Sequence, residues 1–190
     1  MGDININYNT LIGNNIVLRK AKYEDYEKML KNVWSDRKIY EWMLFTPTYT
    51  EQEAIARVKR SIEYQKNHYS YFVALKGSDE PIGLAAMYEY EPNKFEECGI
   101  CVATKYQGLG YGYEILGLLL DLAFNKLNAS SFRYGFFSDN MKSKKLAMKY
   151  GFKYEKAEEI IRQWDDEKRV VVLMTLSKDD YIKIINEDNN

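Results

Sequence analysis

Gly108, Gly110 and Gly112 alternate just before an apolar helical pattern in the stretch Thr104–Phe124. A helix start leaves about four backbone N–H groups without intrahelical acceptors and carries the positive end of the helix dipole. Glycines clear side chains from that position, so a phosphate or pyrophosphate can approach the amides closely. The same glycines also suit a turn that only lets a strand and a helix pack tightly. Two familiar anion loops do not fit. A dinucleotide-binding fingerprint needs its third glycine where Tyr113 stands, and the Gly-Lys-Ser/Thr of a Walker loop is absent.

Cys98 and Cys101 form a second spacing that invites chemistry. A redox pair of this kind usually opens a helix, and zinc needs two more ligands. This pair lies in a strand-like run, where residues three apart face opposite sides. The single histidine, His68, is distant in the sequence. The pair therefore reads as two reduced structural cysteines in a reducing compartment, and no metal site is expected.

These residues must be positioned by a chain of 190 residues, 46% hydrophobic and 29% charged. That length suits one domain with a substantial core, and the expectation is a single domain over 1–190 with flexible ends at 1–13 and 178–190. Seventeen tyrosines beside eight phenylalanines and three tryptophans suggest packing in which rings are buried and hydroxyls find partners. The formal charge of −1 supplies no basic field for nucleic acid. No apolar run approaches the roughly 18–20 residues that span a bilayer. The start, MGDININYNT, has no signal-peptide core, and Ile6 stands where a myristoylation signal needs Ser or Thr. A cytoplasmic protein without a membrane partner is expected.

Hydrophobic period gives the elements. Ile16–Ala21 reads as a strand and Tyr23–Trp34 as an amphipathic helix; Tyr40–Tyr49 reads as irregular. Thr50 and Glu53 form a capping box before a helix carrying Ala54, Ile55, Val58 and Ile62. Three strands in meander follow, from His68 to Ala103. A helical crossover over Leu109–Lys126 leads to a strand at Ser131–Phe137. A short helix ends at Gly151, a last hairpin follows, and Asp179–Asn190 reads as a fraying tail. The fold class is α/β (α+β): a mixed, mostly antiparallel central sheet flanked by helices. The crossover implies one parallel pair that splays at a cleft beside the glycine-opened helix.

Gln107, Gly110 and Gly112 give the pattern Gln/Arg-x-x-Gly-x-Gly/Ala, and here the chain resembles the GNAT superfamily of acyl-CoA-dependent N-acetyltransferases. Asn140–Phe152, NMKSKKLAMKYGF, resembles the Asn-x-x-Ser…Gly-Phe segment of the branch containing the ribosomal-protein N-terminal acetyltransferases RimJ and RimL. Glu97 and Gly99 fall in register with that branch's Glu-Ile-Gly stretch. The resemblance runs from about Ile16 to Leu176.

The resemblance implies the GNAT fold, acetyl-CoA as donor, a primary amine as acceptor, and direct attack without an acyl-enzyme. It puts pantetheine along Ile100, Cys101 and Val102. The pyrophosphate falls on the amides of Gln107, Gly108, Leu109, Gly110, Tyr111 and Gly112. Lys105, Lys142, Lys144 and Lys145 either assist or are solvated surface. Glu97 and Glu155 are both candidate bases acting through water, and either can be a plain exposed carboxylate. The tyrosine that many members use as acid is replaced by Ala147. Ser143 then stands to hydrogen-bond the departing sulfur. Asn140 positions the cofactor arm, caps the helix that begins at Met141, or does both; Tyr150 reads as packing.

The acceptor is a protein N-terminal α-amine or a small-molecule amine. Its wall is expected from Tyr40–Tyr49, the helix after Thr50 and the last hairpin. Trp34, Trp42 and Trp164, with Asp36 and Glu41, suggest an aromatic pocket with acidic edges, or simply core. A homodimer through the last strands is implied by the resemblance. The alternatives are a non-catalytic acyl-CoA-binding regulatory module and an unrelated binder of a phosphate ligand.

Overall fold

The computed structural model describes residues 8–188. Most of the N-terminal stretch read above for targeting signals, Met1–Asn7, and the last two asparagines lie outside the described residues. The eight strands follow the order β1-β2-β3-β4-β5-β6-β8-β7. The chain forms two compact units, Met1–Met87 with Gly99–Leu118 and Tyr88–Cys98 with Leu119–Asn190.

The first unit begins with β1 (Thr10–Ile12), β2 (Ile16–Arg19) and α1 (Asp25–Met29), which runs on as a π turn over Leu30–Trp34. α2 (Arg37–Tyr40) and α3 (Glu51–Gln65) precede β3 (Tyr69–Leu75). Most of β4 (Pro81–Glu91), the end of β5 (Lys94–Val102) and the start of α4 (Tyr111–Asp121) complete the unit. The capping box forms as expected: Thr50 Oγ1 accepts from Glu53 N, and Glu53 Oε2 accepts from Thr50 N. β1 to β4 pair antiparallel. The core gathers Met29, Val33, Trp34, Ala54, Val58, Phe72 and Cys101, which makes α1, its π turn and α3 one apolar layer. The buried Arg19 is held by Asp25 at 2.7 Å and Asp79 at 2.6 Å.

The second unit holds the hairpin from the end of β4 into β5, then β6 (Ser131–Phe137), α5 (Met141–Lys149), β7 (Lys153–Arg162), β8 (Glu167–Ser177) and α6 (Lys178–Asp188). The left-handed Asn93 (φ 59°) closes that hairpin. β5 and β6 run parallel over Lys94↔Ser131, Phe95↔Phe132 and Glu96↔Arg133. β6 meanwhile pairs with β8 along its whole length. The parallel ladder is thus short, as the expected splaying requires. α5 ends in a Schellman turn: Phe152 N donates to Ala147 O, Gly151 N donates to Met148 O, and Gly151 takes φ 70°.

Three elements differ from the sequence reading. β1 and α2 were not expected. The stretch read as a fraying tail is α6, whose Tyr181 is buried and stacks on Phe124 at 4.6 Å between ring centroids. Its apolar stripe is too short to stand out in a polar sequence, and the contact with Phe124 is what orders it. No helix among the described residues is long and apolar enough to cross a membrane.

Candidate functional site

In the first unit, β5 leads through the turn Thr104–Tyr106 into the glycine loop. Gly108 and Gly110 adopt φ 82° and 84°, a left-handed backbone that disfavours any side chain. A Cβ at either would meet nothing within 4 Å. Crowding therefore does not explain these glycines. The backbone twist does, and the space in front of them is open. The tight-packing glycine is instead Gly83 on β4, where a Cβ would collide with the Cys101 carbonyl oxygen.

Side chains brace the loop. Gln107 Nε2 donates to Val102 O at 3.1 Å, fastening the loop to the strand end. Thr104 Oγ1 donates to Asp36 Oδ2 at 2.6 Å. In the first turn of α4, Glu114 accepts from Asn15 N (2.8 Å), Asn15 Nδ2 (3.0 Å) and Ile16 N (3.3 Å). Burial pushes the Glu114 carboxyl up, but these hydrogen bonds outweigh it and hold the group below the usual carboxylate range. Sequence reasoning missed Glu114, because its partners lie about a hundred residues away. Of the lysines expected to assist, Lys105 is paired with Glu80 at 2.9 Å and lies over the Tyr106 ring.

Ile100 is half-buried, and Cys101 and Val102 are buried. Gln107–Gly110 are exposed, and Tyr111 and Gly112 half-buried. Cys98 is exposed and Cys101 buried, and neither is joined in a disulfide.

The second unit holds the other candidate groups. Asn140 Oδ1 caps α5 by accepting from Ser143 N at 3.1 Å. The Tyr134 phenol of β6 is influenced by the Ser143 side chain and by the Glu97 charge. Burial, then Glu97, push that phenol well above its ordinary range, with Ser143 opposing. Tyr134 therefore stays protonated. It was not singled out from the sequence, since strand tyrosines are usually core, and its ring does pack on Phe152 at 5.9 Å.

Glu155, the other candidate base, is the extra residue of a β-bulge between Tyr154 and Lys156. Such bulges re-aim a side chain. Here the carboxylate accepts from Arg133 Nη2 at 2.6 Å, from Arg133 Nε at 3.0 Å and from Thr175 Oγ1. Arg133 also donates to Glu96 at 3.0 Å and lies 4.2 Å from the Tyr90 ring centroid. The Arg133 hydrogen bonds hold the Glu155 carboxyl below its usual range, which makes it a weak proton acceptor.

The expected acidic edges are engaged within the protein. Asp36 caps α2 by accepting from Lys38 N, and Glu41 pairs with Arg37 at 2.7 Å. Trp34 is core, fully buried. The charge among these aromatics is instead Arg57 of α3, whose guanidinium carbon lies 4.8 Å from the Trp34 ring centroid and 4.4 Å from that of Phe45. No cluster of three or more His, Cys, Asp or Glu among the described residues is placed to hold a metal.

Comparison with known proteins agrees with this geometry. The family model described as Acetyltransferase (GNAT) domain matches residues 15–153. No curated protein is similar in sequence at a significant level. Among solved structures, a GNAT-family acetyltransferase from Bacillus anthracis is 17% identical with a TM-score of 0.76, covering 90% of this chain and 99% of that one. A GCN5-related N-acetyltransferase from Brucella melitensis is 14% identical with a TM-score of 0.78, covering 92% and 81%. A RimL ribosomal alpha-N-protein acetyltransferase is 16% identical with a TM-score of 0.73, covering 88% and 93%. At these identities the likeness is one of fold.

Proposed function

The chain belongs to the GNAT acetyltransferase family, and on that premise we propose that it transfers acetyl from acetyl-CoA to a primary amine. The acceptor is a protein N-terminal α-amine, as in the RimJ/RimL-like branch, or a small-molecule amine. The observation that carries this reading is the glycine loop, left-handed at Gly108 and Gly110 with open space before it. A loop of this form at a helix start fits a pyrophosphate. Gln107–Gly112 would hold the diphosphate, Ile100–Val102 would lie along the pantetheine arm, and Asn140 would orient it. Bound acetyl-CoA supplies the activated carbonyl and a thiolate leaving group.

The chain's own groups manage the protons. A peptide α-amine has a pKa near 8, so one carboxylate acting through water suffices to keep it neutral. Glu97 takes that proton as the carbon–nitrogen bond forms and the carbon–sulfur bond breaks. Glu155, doubly bound by Arg133, instead ties β7 to β6. Ser143 directs its hydroxyl at the departing sulfur, and Tyr134 holds that hydroxyl in place. This pair compensates for the alanine at position 147.

The test measures free thiol release over a panel of peptides and small amines, with thermal shifts in acetyl-CoA, CoA and ATP. Glu97→Gln is expected to keep the acetyl-CoA shift and lower kcat about 100-fold or more; normal turnover would remove Glu97 as the base. The non-catalytic alternative draws support from Ala147. It requires acetyl-CoA binding with no thiol release for any amine.

A further inference from the structure

Seven arginines occur in the chain. Among the described residues, every buried or half-buried one except Arg57 has a carboxylate partner: Arg19 with Asp25, Arg133 with Glu96 and Glu155, Arg162 with Asp165, and Arg169 with Asp139. Arg57 is half-buried between two aromatic rings. Its Nη1 donates to Thr46 O at 2.9 Å and Thr48 Oγ1 at 2.8 Å. Those bonds tie down the loop before α3 and use one end of the fork. The Nε–Nη2 edge, the side that grips a carboxylate through two parallel hydrogen bonds, has no acceptor among the described residues. Burial without a counter-charge pulls the guanidinium down to about 10.

A half-buried cation without a counter-ion is costly, and proteins normally pair it. Arg57 lies within electrostatic reach of Cys101, the centre of the strand segment assigned to the pantetheine arm. Met43 and Leu84 flank the neighbouring Gly99. Trp34 Nε1 is a buried donor without an acceptor among the described residues. This wall is apolar and aromatic, and the polar groups left unanswered on it are donors. It complements an anion flanked by apolar atoms rather than the bare ammonium that acidic edges would have suited.

We propose that Arg57 is an acceptor-binding residue whose Nε–Nη2 edge takes a carboxylate, so that the acceptor is a carboxylate-bearing primary amine. The inference rests on the acetyl-transfer reading above. The carboxylate belongs either to a free amino acid or to an acidic residue near the N-terminus of a peptide.

Two arms of one assay distinguish these sources. One compares a free amino acid with its carboxamide. The other compares peptides that differ only by Glu or Gln at the second and third positions. In the wild type, the carboxylate member of at least one pair should show about tenfold higher kcat/KM or more, the size of a charge-assisted hydrogen bond. Arg57→Gln should bring that ratio to near one, and Arg57→Lys, which keeps charge but not the fork, should fall between. Circular dichroism and the acetyl-CoA thermal shift of both variants accompany the assay. No wild-type preference in either arm, or a preference that survives in Arg57→Gln, overturns the proposal. So does loss of the acetyl-CoA shift in folded Arg57→Gln, which assigns the guanidinium to the donor instead. If no amine releases thiol, acetyl transfer fails on its own. Calorimetry with the same pairs then decides the subsite, and equal binding of acid and amide sinks it.

Discussion

The polar groups around Arg133 and those around Arg57 answer the same problem differently. Both guanidiniums lie against aromatic rings on partly buried surfaces. Arg133 is closed on itself, since two carboxylates take its three donor nitrogens and Thr175 completes one of them. Its hydrogen bonds, chiefly to Glu155, push it above its ordinary value. Among the described residues, Arg57 donates to a carbonyl and a hydroxyl and to no carboxylate, and is pulled down. The glycine loop falls on the same side of the contrast as Arg57, with open space before a helix start. A network saturated by its own chain serves stability. Groups left unanswered, at a cost in solvation, are suited to a ligand.

The sharpest way to break the comparison is at the loop. Gly110→Glu places a carboxylate before the helix amides and should abolish acetyl-CoA binding. At a ligand concentration 100 times Kd, the wild type should gain about 2.7 kcal/mol and the variant nothing. Gly110→Ala separates charge from strain. Its left-handed backbone costs about 1 kcal/mol, and part of the ligand shift should survive. Equal shifts in all three proteins would show that the loop holds no anion.

The saturated side should respond in stability. Arg133→Met strands two carboxylates and should cost about 2 kcal/mol in urea unfolding. A loss below a few tenths would mean that the network is solvated and the contrast with Arg57 unreal. The smallest effect is one of pH. Glu155 titrates below its ordinary 4.5 when folded, because of Arg133. Its contribution is therefore complete above about 4.5 and lost as pH falls through the lower folded value. Glu155→Gln should flatten the wild-type loss of stability in that acid window. An unchanged pH profile would remove Glu155 from the network.

Much of this was legible where the cause is local. Thr50 and Glu53 make a capping box at three-residue spacing, Asn140 caps the next residue's helix, and Gly151 ends α5 by its left-handed turn. The parallel pair followed from strand–helix–strand order. Tyr134 and Arg57 were not legible, because a tyrosine in a strand and an arginine in a helix look ordinary until their neighbours are known. The acidic edges suggested by Asp36 and Glu41 were not legible as engaged groups for the same reason: Asp36 accepts from Lys38 N and from Thr104, and Glu41 pairs with Arg37. Glu155 was seen as a carboxylate but not as the bulged residue aimed at Arg133.

The amino-acid sequence alone determined the periodicities, the caps, the alternating glycines and the family pattern, because each depends on residues a few positions apart and on backbone preference. Only the tertiary structure decided which charges are neutralised, because a guanidinium's state depends on carboxylates that the fold brings from 22 or 37 residues away, and no local rule carries that distance.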